Sequence, residues 1–323
     1  MEGSIKAMAH FQTEAQAETQ SKAARTPAFV PLTLLCLCGF LFASKIMVSK
    51  AALSAGADPF QLGIVGNLGA GLLLSGWLAA RGESLSSACR TPLLYLVLGI
   101  VSVALPTILS FHVVDRVGPA YTATVYSLSP ILTMGFAAGI GLERMTIRRS
   151  AGVMIGLFGM MAIVQQQLAA IDFAEPIWVL IGLLIPACTA TGNIIRSAFW
   201  PKGASAPAFA CATLFTSSVV MAILAPLFGP TSRWHFTDPV LGPWLVGFVL
   251  VSALSYVLNF SLQKVAGSVT FSQIGYWGAG FGVLLAALLF DDVLTAPSLI
   301  GLAAISGGGV LASVAGMTVR KGA

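Results

Sequence analysis

The sequence predicts an all-α integral membrane protein of ten transmembrane helices, built as two inverted five-helix repeats. Three observations carry that expectation. The 323-residue chain is 57% hydrophobic and only 9% charged, with mean hydropathy +0.89, whereas a soluble domain carries about a quarter charged residues. Its apolar runs are about 20 residues long, enough to cross a hydrocarbon core of roughly 30 Å. They lack the alternation of a membrane barrel, so their backbone must be helical. Finally, the chain echoes itself.

The echo centres on Gly118–Gly159, which reads as two apolar helices joined by a charged turn. Tyr121, Thr122, Thr124, Tyr126, Ser127 and Ser129 precede Pro130 in its first helix. The turn holds Glu143, Arg144, Arg148 and Arg149, and the second helix places Gly152, Gly156 and Gly159 where small residues allow close helix approach in lipid. A shift of 148 residues pairs Arg116 with Lys264, Val117 with Val265 and Thr122 with Thr270. One extra residue then pairs Glu143 with Asp292, Thr146 with Thr295, Gly152 with Gly301 and Gly159 with Gly308. Such an internal period marks a duplicated architecture.

Taken in order, residues 1–27 are polar, lack the apolar core of a signal peptide and read as a disordered cytoplasmic tail. The first repeat, 28–170, holds spans at roughly 31–54, 60–80, 92–113, 118–141 and 150–168. The second, 171–318, holds spans at roughly 177–199, 207–228, 241–263, 267–290 and 297–317, and 319–323 forms a short cytoplasmic tail. Prolines mark many span starts, among them Pro59, Pro92, Pro119, Pro176, Pro207 and Pro297.

With a cytoplasmic N-terminus, thirteen of the 17 basic residues fall on the inner side, including Arg81, Arg90, Arg144, Arg148, Arg149, Lys202 and Lys264. The outer connections hold Asp58, Asp115, Asp172, Glu175, Asp238, Asp291 and Asp292. Both termini are therefore expected in the cytoplasm. Five spans per repeat make the second copy enter upside down, which matches the basic turn at Glu143–Arg149 and its acidic counterpart Asp291–Asp292. Inverted repeats are a recurrent plan of secondary transporters, with the substrate site near the midplane between halves. The basic surplus is thus a topological signal, and no nucleic-acid partner is expected.

In the order and spacing of its short motifs the chain resembles the drug/metabolite transporter superfamily, in particular its EamA-type ten-helix members. Those motifs are Lys50-Ala51-Ala52-Leu53 before Pro59-Phe60, Ser127-Leu128-Ser129-Pro130, and Glu143-Arg144 followed by Thr146 and Gly152. The likeness extends from about residue 30 to 317. The chain departs from the family at Asn67, near which an Arg is common, and at Asp291–Asp292 in place of Gly-Glu. The resemblance implies transport, with exporters of amino acids, other metabolites and drugs among the members.

Lys45 is the sharpest individual signal. It lies about 21 Å along a helix from Pro31 at 1.5 Å per residue, where a Lys costs roughly 2.5–3.5 kcal/mol on insertion scales. It is either a cavity cation that attracts a carboxylate-bearing substrate or a side chain snorkelling to the outer interface. Lys50 reads as interfacial. The repeat pairs Lys45 with Asn193, and Arg196 follows one turn on. Tyr126, Gln273, Tyr276 and Trp277, with Tyr121 and Ser129, either line the cavity, join helices by hydrogen bonds or anchor at the membrane interface. Tyr256, Asn259 and Gln263 form a polar stripe that faces either water or a neighbouring helix.

Other readings are excluded or bland. The five cysteines and three histidines have no metal-ligand spacing, so no metal or other cofactor is expected. His112 reads as interfacial more readily than as a proton relay. No Asp or Glu lies deep in any span, which disfavours a proton-exchanging carboxylate of the small multidrug-resistance type. No Walker loop is present, so ATP does not drive the chain directly.

The expected protein is a multi-pass transporter of a bacterial inner membrane, with a small-molecule substrate, not an enzyme. Its substrate is a small polar metabolite such as an amino acid or other carboxylate, moved outward by alternating access. The alternatives are export of drug-like, cationic or neutral compounds on the same fold, a membrane enzyme, or a sensory subunit. The glycine-rich spans could pack within a monomer or support a homodimer.

Overall fold

The computed structural model describes residues 29–83, 91–116, 125–143, 145–168, 176–228, 239–290 and 295–321. The sequence-based readings at Tyr121, Thr122, Arg144 and Asp291–Asp292 lie outside the described residues. Among those described the chain is all helical, without a strand. Among the described residues six helices are long and apolar enough to cross a membrane: Phe29–Ser54, Phe60–Ala80, Pro92–Ser110, Pro176–Ala198, Ala206–Leu227 and Leu241–Ala266.

Helices α1 (Phe29–Ser54) and α2 (Pro59–Ala80) meet at a turn fixed by Asp58. Its carboxylate accepts from the N–H groups of Phe60 and Gln61 at 2.9 and 3.1 Å, and Pro59 supplies a helical φ at the first position. Helix α3 (Pro92–Leu98) continues through a π-helical turn at Gly99–Ala104 into α4 (Leu105–Arg116). Pro106 explains the wide turn: it lacks an N–H, and its ring would strike the carbonyl of Ser102 four residues earlier. Ser102 in turn rests against Gly192, where a Cβ would collide with its side chain.

Helix α5 (Ser129–Gly139) opens at Pro130 after a turn, and the Tyr276 hydroxyl donates to the Ser127 carbonyl at 2.9 Å. The chain then forms α6 (Ile147–Leu168), α7 (Pro176–Gly182), α8 (Leu184–Ala198), α9 (Ala206–Phe228) and α10 (Leu241–Ala266). It ends in α11 (Ser268–Ser272), α12 (Ile274–Phe290) and α13 (Ala296–Lys321). Helices begin at or beside Pro59, Pro92, Pro176, Pro207 and Pro297, where the sequence puts span starts, because proline at a first turn costs no hydrogen bond; Pro119 lies outside the described residues.

Helix α1 packs against α10 and α12, while α8 packs against the π turn, α4 and α5. Helix α2 runs against α9 and α10, and α9 against α2 and the α3–π segment. The closest pairing joins α6 to α13. A Cβ on Gly152 would lie 2.6 Å from the Gly308 carbonyl, and one on Gly159 would lie 2.7 Å from that of Gly301. The two backbones touch, as small-residue helix contacts in lipid allow.

Candidate functional site

The site is built on α10, which presents Phe248, Tyr256, Asn259, Phe260 and Gln263 between α1, α2 and α8. Lys45 comes from α1, half-buried. Its ammonium lies 5.1 Å from the ring centroid of Phe248 and 5.1 Å from that of Tyr256. No carboxylate pairs with it among the described residues. The two rings place the cation against the middle of α10. Each such contact returns about 0.5–2 kcal/mol, less than the cost of withdrawing a charge from water.

Around this cation the polar groups interlock. The Tyr256 hydroxyl donates to Asn67 Oδ1 at 3.5 Å, and Asn67 Nδ2 donates to Ser217 Oγ at 3.3 Å. Asn259, one turn beyond Tyr256, has its Oδ1 buried with no partner among the described residues. At the far end of the stripe, Arg196 NH1 donates to Gln263 Oε1 at 2.7 Å. Gln263 Nε2 donates to the Asn193 carbonyl and to Ser197 Oγ, both at 2.8 Å. The Asn193 amide donates to Thr133 Oγ1 at 3.4 Å.

The remaining candidates go elsewhere. The Tyr126 hydroxyl is 2.9 Å from Ser110 Oγ. Gln273 is buried and donates to the Val269 carbonyl of its own turn at 3.4 Å. Tyr276 braces the α5 break, and Trp277 packs between Gly39 and Gly309 with its indole N–H buried and without a partner among the described residues. His112 stacks near Trp178, with centroids 5.8 Å apart. The structure thus gathers Lys45 and Tyr256 at one level, and Asn193, Gln263 and Arg196 at another, with Asn259 on α10 between Tyr256 and Gln263. Phe248 was not legible as a partner, since one more aromatic in an apolar run carries no signal.

Beyond Arg196, Glu143 forms a buried clamp between α6 and α11. Glu143 Oε2 lies 2.6 Å from Arg149 NH2, and both side chains are buried. Its Oε1 accepts from the Ser268 N–H at 2.6 Å and from the Ser268 hydroxyl. Gly267 makes this possible: at φ 86° it turns the end of α10 into α11 and aims the first N–H groups of α11 at the carboxylate. Beside it, Lys264 Nζ donates to the Ala204 carbonyl at 2.8 Å. Among the described residues no group of metal-binding side chains assembles.

The fold and its span-forming helices define an integral, multi-pass membrane protein. Residues 30–165 match the model of the EamA-like transporter family. Over 250 residues the chain is 24% identical to the uncharacterized transporter YyaM of Bacillus subtilis (strain 168), covering 72% of this chain and 82% of that protein. A solved crystal structure superposes with a TM-score of 0.72 at 18% identity, over 88% of this chain and 98% of that one, and shows the same fold. Residues 30–165 thus resemble the EamA-like transporter family, and with the transporter relative this supports placing the chain among the EamA-type drug/metabolite transporters. That placement points to a membrane transporter rather than an enzyme.

Proposed function

We propose that the protein is a secondary exporter of a small polar metabolite bearing a carboxylate, and that Lys45 is its anion ligand. One observation carries the reading. The Lys45 ammonium lies 5.1 Å from the rings of Phe248 and Tyr256 on α10, and no acid neutralises it among the described residues. A substrate carboxylate would supply the missing charge. Asn67, Tyr256 and the unpartnered Asn259 carbonyl would take its polar groups.

The proposed motion is alternating access by two inverted five-helix halves within a ten-helix whole. The glycine seam supports it. Gly152 and Gly301 are repeat counterparts, as are Gly159 and Gly308, yet Gly152 meets Gly308 and Gly159 meets Gly301. Crossed pairing of equivalents is what a two-fold axis produces. The α1 contacts with α10 and α12 are mirrored by those of α8 with α4 and α5. The Glu143 clamp reaches from the first proposed half to Ser268 in the second, which supports reading this conformation as closed at the clamp end. The basic surplus supports placing that end in the cytoplasm, with both termini inside, and the proposed membrane is a bacterial inner membrane.

The test is a thermal-shift screen of purified protein with amino acids, organic acids, amines and sugars, wild type beside Lys45→Ala. A ligand at a hundred times its Kd stabilises by about 2.7 kcal/mol. The expected result is stabilisation by a carboxylate that disappears in Lys45→Ala. Hits confined to amines or sugars, or a carboxylate shift that survives the substitution, would contradict it.

A further inference from the structure

We infer that Arg196 is a second anion station on the same path, between the Lys45 site and the clamped end of the bundle. The inference rests on the transport reading and extends it to the route the substrate takes. Arg196 is buried at 5% exposure, deep enough that a cation there calls for a counter-ion. No carboxylate pairs with it among the described residues, and its Nε is buried without a partner. Of its five donors one hydrogen bond is made, from NH1 to Gln263. The guanidinium is instead held between two rings, 4.6 Å from the Phe260 centroid and 5.2 Å from that of Phe271.

The two cations share one wall. Tyr256, over which Lys45 lies, is the ring neighbour of Phe260, over which Arg196 lies, with centroids 6.2 Å apart. Between them the Asn259 side chain leaves its carbonyl unpaired among the described residues. The path is therefore a row of rings with a cation at either end, a surface suited to an organic anion with an apolar body.

The clamp controls the second station. Phe271, which covers Arg196, belongs to α11, and α11 is the helix whose first N–H groups Glu143 holds. Release of Glu143 frees the segment that carries Phe271 and uncovers Arg196 to the end that then opens. An anion would meet Arg196 first and pass along the rings to Lys45. Arg196 keeps the charge low in the path while the clamp is open, and Lys45 holds it once the clamp has closed.

The experiment uses benzenesulfonate, a permanent anion with an aromatic body, titrated calorimetrically into the full chain in nanodiscs. Benzyl alcohol is the uncharged control. Arg196→Met is expected to weaken benzenesulfonate binding about tenfold, as loss of one charge-assisted contact does, and Arg196→Lys to stay within about threefold of wild type. Lys45→Met is expected to retain residual binding that the double variant loses. In the wild-type protein, modification of Arg196 by phenylglyoxal, read by peptide mass spectrometry, is expected to slow several-fold with benzenesulfonate and not with benzyl alcohol. That protection measurement decides alone if Arg196→Met does not fold. Binding that Lys45→Met abolishes and Arg196→Met leaves untouched, without protection of Arg196, overturns the second station and leaves the Lys45 site standing. Absence of any benzenesulfonate binding to wild type, with no protection, overturns both.

Discussion

Arg149 and Lys45 are both basic residues within the helical bundle, and they are handled in opposite ways. Arg149 has its acid: Glu143 lies 2.6 Å away and spends its other oxygen on the first turn of α11. Lys45 has two aromatic rings and no acid among the described residues. A buried charge that is paired holds structure, and its partner cannot leave without cost. A charge left unpaired in the interior lowers stability by its presence and is retained where a ligand completes it. The glycine seam between α6 and α13 belongs with Arg149, since its contacts are backbone against backbone and have no room to vary.

Breaking the paired site should have the largest effect. Glu143→Ala leaves Arg149 buried without its acid and should cost about 3–5 kcal/mol, read as a fall in Tm. The double variant Glu143→Ala/Arg149→Met should recover part of that loss. Equal losses in the single and double variants would show that the clamp holds α11 and not the charge. Next comes the seam. Gly159→Ala puts a methyl group 2.7 Å from the Gly301 carbonyl and should cost about 1–3 kcal/mol by overpacking. An unchanged Tm would mean that α6 and α13 separate freely.

At the unpaired site the sign should reverse. Lys45→Met should leave Tm unchanged or raise it, because it removes a charge that no acid among the described residues neutralises, while ligand-induced stabilisation disappears. A fall comparable to that of Glu143→Ala would show that Lys45 has a structural partner. The smallest effect belongs to Tyr256→Phe, which gives up a 3.5 Å hydrogen bond to Asn67 and should cost under about 1 kcal/mol. The ring that meets Lys45 remains, so ligand affinity should change less than in Lys45→Met.

Much of the scaffold was legible in the sequence. Apolar runs bounded by Pro59, Pro92, Pro176 and Ala296–Pro297 became helices beginning at or beside those residues, because proline signals a helix start through local geometry alone. Gly152, Gly159, Gly301 and Gly308 were legible as packing residues, but not which would meet which. Lys45 stood out as a charge in an apolar run. Its partner Phe248 did not, because an aromatic among aliphatic residues looks the same whether it faces lipid or a cation. The reach of Glu143 to Ser268 spans 125 residues, and nothing local to either position announces it. The π turn had a local cause in Pro106, yet a proline inside an apolar run fits a kink, a break or a wide turn equally well.

The most direct measurement is counterflow in proteoliposomes. Wild-type protein and Lys45→Ala, at equal amounts, are loaded with the carboxylate that stabilises the protein best, and entry of the labelled compound is followed. The account predicts flux by wild type that falls at least about tenfold in Lys45→Ala, the loss of one charge-assisted contact. Flux of equal size in the two proteins would contradict it.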